Sequence, residues 1–483
     1  MQSRVFQTAI PLTKWVSPDL LEQEQVWGAD LFCGPAAQIL FGKGIRKLLK
    51  KLGGNCLEGW RVSTNPSAID YDLRIETTPV YRQSNLDPMR FKLEPSHWQT
   101  PQIEAEWCVQ PGDIVLNKLM PIRAVLVTER TYRHPIDANC LLIRGLDRVT
   151  SAWVAFCLNQ KPYEAYLTQH HGLAFLPRAS LGELRQLRVP PAPDRMRLLG
   201  EKFWQLNDAL METEELIVRC MGEVEEYMQE DFDRLQEQES KTIQPQVNSG
   251  RFLPAEAIED SLLPNHVENA YWRRRLQREL GWMPISKLST IGSGDRERLD
   301  RDVGEIAYLQ LNDIDRDLMV GLVTPAAVTQ ATRIFKEPLA PGEVLISTFA
   351  ANPKVVFVDR SLDRKIYVTD HWRRLRFLET PAAWALILNA EPVREQLAGL
   401  AMGTIQQFIY ADRLTQLMVP LVPLEQRRLW EQMVFTHHQR KRELNQKWHS
   451  LWSETMDIFN EVHELPREDR DRQYSHFSGG NNL

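Results

Sequence analysis

The chain has 483 residues, 43% hydrophobic and 25% charged, an ordinary globular composition with length enough for two or more cores, which excludes a disordered or fibrous chain. The net charge of −6 hides an uneven distribution: residues 200 to 240 hold thirteen acidic and three basic side chains, a net of −10, so everything else carries +4. That balance permits a polyanionic partner without demanding one.

No apolar run of about eighteen residues occurs, and the opening MQSRVFQTAIPLTKW lacks a sustained apolar core. Neither a membrane span nor a signal peptide is expected, and a cytoplasmic protein is. Six cysteines, Cys33, Cys56, Cys108, Cys140, Cys157 and Cys220, form no CxxC pair. They read as buried free thiols in a reducing compartment rather than as a disulfide framework or zinc site.

In chain order, residues 1 to 60 carry mixed helical signals, including a basic amphipathic run, GKGIRKLLKKLGGN at 42 to 55, closed by a glycine pair suited to a helix end. Its lysines suit phosphate or plain solvent. Residues 61 to 145 read as short strands, clearest at Asp113 to Lys118 after the turn Gln110-Pro111-Gly112 and again at Ala124 to Val127. Residues 151 to 170 are helical in pattern despite Pro162, and 179 to 187 form a short amphipathic piece. Val189-Pro190-Pro191-Ala192-Pro193 then introduces a long helix.

In that helix Leu199, Phe203, Leu206, Leu210, Thr213, Ile217, Cys220, Val224 and Tyr227 alternate steps of four and three, which predicts one narrow seam needing a partner. Leu444, Trp448, Leu451, Thr455, Ile458 and Val462 keep the same alternation in a second helix starting around Leu424. Charge predicts an antiparallel pair. The basic start of the second helix would face the acidic end of the first, and Asp457 and Glu461 would approach Arg195, Arg197 and Lys202.

The programme repeats. QPGDIVLNKLMPIRAVLV at 110 to 127 returns as APGEVLISTFAANPKVVFV at 340 to 358; Ala152-Trp153 returns as Ala383-Trp384, Leu158-Asn159 as Leu388-Asn389, Gly172 as Gly403, and Leu187 to Pro190 as Leu417 to Pro420. Five matches in one order, always 230 or 231 residues apart, imply a duplication. The expected domains are 1–192, a first spacer helix at 193–240, a linker at 241–270, a second domain at 271–422, a second spacer helix at 423–464 and a disordered tail at 465–483. The fold class is therefore α/β, with two repeated mixed α/β domains joined by a long antiparallel helical pair about a pseudo-twofold axis. A seam of about 29 residues spans about 43 Å, comparable to a turn of duplex DNA at about 34 to 36 Å.

Within the second copy, Lys287-Leu288-Ser289-Thr290-Ile291-Gly292, Tyr308-Leu309-Gln310-Leu311-Asn312-Asp313-Ile314, Pro341-Gly342-Glu343-Val344-Leu345-Ile346-Ser347, Gly403-Thr404-Ile405-Gln406-Gln407-Phe408 and Val419-Pro420-Leu421-Val422-Pro423-Leu424-Glu425-Gln426-Arg427 stand in one order. Together they resemble the specificity subunit of type I restriction-modification enzymes, with its target recognition domains and spacer helices. In the first copy Leu173-Ala174-Phe175 replaces the Thr-x-Gln loop, and Pro193-Asp194-Arg195 the Glu-Gln entry. The resemblance implies a non-catalytic subunit of a phage-defence complex that binds double-stranded DNA at a bipartite, asymmetric target. It also implies two DNA adenine methyltransferase subunits as partners, with or without a restriction/translocase subunit. The alternative is a DNA-recognition or scaffold subunit of another anti-phage complex that has no methyltransferase.

Chemistry of its own is not expected. An Asn/Asp-Pro-Pro-Tyr/Phe motif, a glycine-rich cofactor loop and GxxxxGK[ST] are all missing from the sequence, so no catalytic residue and no cofactor is assigned. The adjacent pairs His170-His171 and His437-His438 point about 100° apart on a helix and make poor joint metal ligands. The candidate DNA-binding residues are polar ones in strand-and-loop positions. Lys118 and Arg123 in the first domain, and Ser347, Thr348, Asn352 and Lys354 in the second, suit phosphate or base edges; Gln310, Asn312, Thr404, Gln406 and Gln407 add groups suited to adenine. Trp153 and Trp384, on apolar helices, read as core.

Overall fold

The computed structural model describes residues 47–58, 77–91, 96–99, 108–130, 134–169, 178–242, 273–292, 294–299, 305–309, 326–327, 332–349, 353–359, 365–402 and 408–463. The chain divides into two compact units. Among the described residues, unit one takes those up to Glu212 and those from Glu443 on, and unit two takes Thr213 to Arg442.

Unit one is built on a four-stranded antiparallel sheet of β1 (Asn55–Glu58), β2 (Ile114–Asn117), β3 (Ala124–Leu126) and β4 (Cys140–Arg144), in the order β1-β4-β2-β3. Every residue of β2 and β3 is buried, the pattern of strands covered on both faces. Helix α1 (Arg148–Leu158) is buried continuously from Ser151 to Leu158, as expected of a helix apolar all round. Asp147 caps it by accepting from the backbone N–H groups of Val149 and Thr150. The expected single helix over 151–170 is two: α2 (Lys161–Gln169) follows after Asn159-Gln160. Pro162 sits in the first turn of α2, where its missing N–H costs no helical bond.

The basic run 42–55 is not a helix over its described part. Lys47–Leu48 is a strand paired with Arg188–Val189, Leu49–Leu52 is a single 3-10 turn, and β1 begins at Asn55. One short apolar stripe cannot nucleate a helix when sheet pairing competes for its backbone. The glycine reading holds: Gly53 ends the turn at φ +97°.

Unit two repeats the plan. Its longer strands are β5 (Ser289–Gly292), β6 (Arg296–Leu299), β7 (Thr332–Phe335), β8 (Glu343–Ser347), β9 (Val355–Phe357) and β10 (Trp372–Phe377). The sheet order is β5-β10-β8-β9, again antiparallel throughout, with β6 and β7 forming a separate ribbon. Helix α4 (Pro381–Asn389), buried from Ala382 onward, lies where α1 lies in unit one, and α5 (Glu391–Gly399) follows it. Val115 pairs with Val125 in one hairpin and Leu345 with Val356 in the other. The second hairpin is therefore one residue longer. Trp153 and Trp384 are core residues, as expected.

Two long helices complete both units, α3 (Met196–Thr242) and α6 (Leu424–Val462). Within unit one they pair antiparallel: Arg195 Nη1 meets Glu461 Oε2 at 3.0 Å, and Phe203 packs edge-on against Trp448. Within unit two the pairing is again antiparallel, with Thr213 O against His437 Nδ1 at 2.7 Å, Cys220 against Met433, and Tyr227 edge-on to Trp430. The ion pair Lys441–Glu214 brings the basic and acidic stretches together as charge complementarity predicts, whereas Arg442 turns to Asp359.

The seam is wider than the sequence pattern. Trp204, Asn207 and Met211 are buried beside it because α3 also packs on its own unit: Trp204 Nε1 donates to Arg148 O and Asn207 Nδ2 to Met89 O. At Tyr227 the stripe has moved on, leaving Tyr227 exposed and Met228 buried, the drift of a 3.6-residue helix against a 3.5-residue repeat.

Candidate nucleic-acid interface

The described candidates, Lys118, Arg123, Ser347, Thr348 and Lys354, sit where each sheet gives way to the loop of its central hairpin. In unit one a turn through Gly112, at φ +98°, aims Asp113 back so that its carboxylate accepts from Gln110 N at 2.8 Å. Arg144 then donates to both oxygens of Asp113 and, through Nη2, to Cys108 O. Unit two repeats this piece: Gly342 at φ +86°, Glu343 accepting from Ala340 N at 3.0 Å, and Arg374 donating to both oxygens of Glu343 and to Pro338 O. The register equivalent of Arg144 is Arg376, which also reaches Glu343, at 2.7 Å. Arg374, two residues earlier on the same strand face, has taken over the forked contact.

Beyond the strand, the hairpin loops close alike. Asn117 Oδ1 accepts from Arg123 N and its Nδ2 donates to Pro121 O; Ser347 Oγ accepts from Lys354 N at 2.8 Å. A polar side chain at the strand end thus replaces the backbone partners that the loop lacks. The next residues are tied identically, with Ala179 N donating to Lys118 O and Ile409 N to Thr348 O, each at 2.8 Å.

This geometry sorts the sequence candidates. Lys118 Nζ lies 3.2 Å from Glu58 Oε1, and Arg123 Nη1 donates to Leu86 O at 3.0 Å and to Asp87 Oδ1 at 3.4 Å. Both cations are therefore engaged inside unit one. Ser347 and Thr348, expected at a surface, are 1% and 2% exposed; Ser347 closes the loop and Thr348 is held by His371 O and Ile409 N. Lys354 is partly buried beside them. Gln310, Asn312, Asn352, Thr404, Gln406 and Gln407 lie outside the described residues.

Sequence reasoning missed a concentration of arginines in unit two. The ribbon exposes Arg296, Arg298, Arg333 and the adjoining Lys336. Arg298 stands directly opposite Arg333, and Lys336 pairs with Asp295 at 3.7 Å. Arg373 on β10 is nearly buried; burial, and then the charge of Arg296, hold its guanidinium below the ordinary range, while Asp370, Asp412 and Tyr410 act the other way. The one available signal was the run Arg373-Arg374-Leu375-Arg376, whose alternation places Arg373 on the opposite strand face from Arg374 and Arg376.

No group of three or more metal-ligating side chains comes together among the described residues. No helix among them is long and apolar enough to cross a membrane.

Among solved structures the chain is similar to three of the type I restriction-modification system. With the S subunit from M. genitalium it shares 10% identity at a TM-score of 0.41, covering 88% of this chain and 97% of that one. With the HsdS subunit from Thermoanaerobacter tengcongensis the values are 13% and 0.27, over 87% and 96%. A structure describing complex assembly and conformational transition of the type I system gives 15% and 0.24, over 85% and 97%. No protein-family model matches the chain, and no curated protein matches it.

Proposed function

We propose that this chain is a DNA-recognising, non-catalytic specificity subunit of a type I restriction-modification complex. It reads a bipartite, asymmetric double-stranded target and directs DNA adenine methyltransferase subunits, two per chain, to it in the cytoplasm, with or without a restriction/translocase subunit. Residues 1–192 and 271–422 are its recognition domains, 193–240 and 423–464 its spacers, 241–270 the linker and 465–483 the tail.

One observation carries this reading: a sheet-and-helix unit that occurs twice with the same buried acid–arginine contact, the same loop closure and its own antiparallel length of helix pair. Two like readers on one chain turn two weak contacts into one strong, spacing-dependent interaction. Their charged groups differ, which suits an asymmetric target.

Electrophoretic mobility shifts over a salt series test the reading. A reader that neutralises six to ten phosphates loses about 10³- to 10⁵-fold in affinity between about 50 and 200 mM salt; affinity that is absent or flat with salt refutes DNA recognition. Co-purification of an adenine methyltransferase tests the partner, and inserting four residues, near one helical turn, into α3 should shift the preferred gap between the two half-targets. The engagement of Lys118 and Arg123 inside unit one favours a second reading, a recognition or scaffold subunit of another anti-phage complex. A stable native complex lacking any methyltransferase would select it.

A further inference from the structure

Arg373 is a guanidinium for which the sheet has no use. It faces Ile346 in the register of β10 and is 9% exposed, yet its hydrogen bonds run only from Nη1, to Asp370 O at 3.1 Å and Trp372 O at 3.3 Å. Among the described residues its Nε has no hydrogen-bond partner. A cation withdrawn from water in this way is costly unless an anion meets it. The strand position does not itself require charge, because in unit one the same register position, opposite Leu116, holds Leu141, fully buried.

The β6–β7 ribbon brings further positive charge to this place. Ile334 bridges Thr369, and Asp370 N donates to Arg333 O at 3.2 Å, so the ribbon is fastened to the turn that Arg373 grips. Arg296 pairs with Phe335 and Arg298 with Arg333, which sets all three arginines on one ribbon face. The Arg296 guanidinium is steadied over the Phe335 ring at 5.2 Å. Like charges opposite each other on neighbouring strands repel, and among the described residues neither Arg296 nor Arg333 is in an ion pair. Asp370 and Asp412 offset part of this charge, and the arginines outnumber them.

We propose that Arg373, Arg296 and Arg333 form an oxyanion site in unit two that holds a backbone phosphate of the DNA. The phosphate meets the Arg373 guanidinium at its remaining exposed edge, and the ribbon arginines take its other oxygens with the planar fork that suits a phosphate better than an ammonium does. The assignment of the ligand to DNA rests on the function proposed above; free inorganic phosphate shares the same chemistry. Unit one, with leucine at the position of Arg373, lacks this arrangement.

The test uses the full chain, wild type against Arg373→Leu and Arg296→Gln. Leucine is the residue that unit one already folds around, and the glutamine lies on the exposed ribbon, so both variants should retain the wild-type circular dichroism spectrum. Duplex affinity is measured from about 50 to 200 mM salt. Loss of one phosphate contact should reduce the slope of log affinity against log salt by about 0.9 in each variant, equally for all sequences. Wild-type binding with slopes unchanged in both variants overturns the site. Should the wild type bind no duplex at any salt, DNA recognition fails, and the site is then judged by inorganic phosphate alone. A rise in the wild-type melting temperature with phosphate that Arg373→Leu abolishes sustains it for a small phosphate ligand, and no rise overturns it.

Discussion

Arg374 grips Glu343 through Nη2 at 2.8 Å from both carboxylate oxygens, with the two side chains only 5% and 2% exposed. Thirty-one residues separate them, the same interval that separates Arg144 from Asp113. Removing one member of such a pair strands the other charge away from water. Glu343→Ala should therefore lower the stability of unit two by about 3–5 kcal/mol, whereas replacing both residues by methionine should cost far less. Asp113→Ala should cost less than Glu343→Ala, because Arg144 is 23% exposed and water can reach it. Denaturant titrations that follow each unit through its own tryptophans measure these differences; equal losses in the two units would contradict the argument.

A second repeated contact ties helix to sheet. Asn159 Nδ2 donates to Ala124 O and Ala155 O at 2.8 Å, and Asn389 Nδ2 to Val355 O at 3.1 Å and Ala385 O at 2.9 Å. Substituting either asparagine by leucine removes a donor from a buried strand carbonyl; at Asn159 it also strips the acceptor from Ala124 N, while Met89 N still donates to Ala124 O. A loss of about 1–3 kcal/mol is expected at each site. Hydrogen exchange should quicken first at Ala124 in one variant, whose N–H is bound by Asn159 Oδ1, and its protection unchanged would count against the role.

Asp147 gives a pH signature. Partial burial raises its pKa, but the Thr150 hydroxyl and the N–H groups of Thr150 and Val149 outweigh that and hold it below the ordinary range. A carboxylate so depressed stabilises the folded state above its unfolded pKa of about 3.9 and loses that contribution as pH falls through the folded value. Asp147→Ala should cost about 1 kcal/mol at neutral pH, and the gap from wild type should close as pH drops below about 4. Thermal melts at pH 7 and pH 3 test this; a gap that persists at acid pH would rule out the charged cap.

Cys220 lies in the helix seam, and burial first, then Glu223, push its thiol up to about 12. Burial likewise raises Cys56 to about 11, against the pull of Arg185. Neither should be alkylated by iodoacetamide at pH 8 in the native chain, and both should be once it is unfolded, since the thiolate is the reactive form. Partly exposed Cys108 should be labelled before either, as read by peptide mass spectrometry.

The duplication, the seam helices and the central hairpins were legible in the sequence because each rests on local periodicity. Ile114-Val115-Leu116 and Val344-Leu345-Ile346 are apolar runs after a Pro-Gly turn, and Phe203, Leu210 and Ile217 mark a helix face whatever they pack against. The basic run at 42 to 55 looked equally helical, yet at Lys47–Leu48 it lost to strand pairing with a segment about 140 residues away, and only a single 3-10 turn remains at Leu49–Leu52.

The site was less legible for the same reason. Ser347 and Lys118 look like surface groups in a chain with 58 lysines and arginines, and only the fold gives Ser347 a loop to close and Lys118 a glutamate to meet. Sequence by itself determined that there are two like α/β units and two long helices, since repetition and apolar spacing are properties of neighbouring residues. Tertiary structure alone decided which cations are spent inside and which are gathered together, because a charge's fate depends on what distant strands bring within a few ångströms and on how much water they exclude. Arg374 and Arg373 are adjacent in the chain, and opposite strand faces give one a carboxylate and leave the other's Nε without an acceptor.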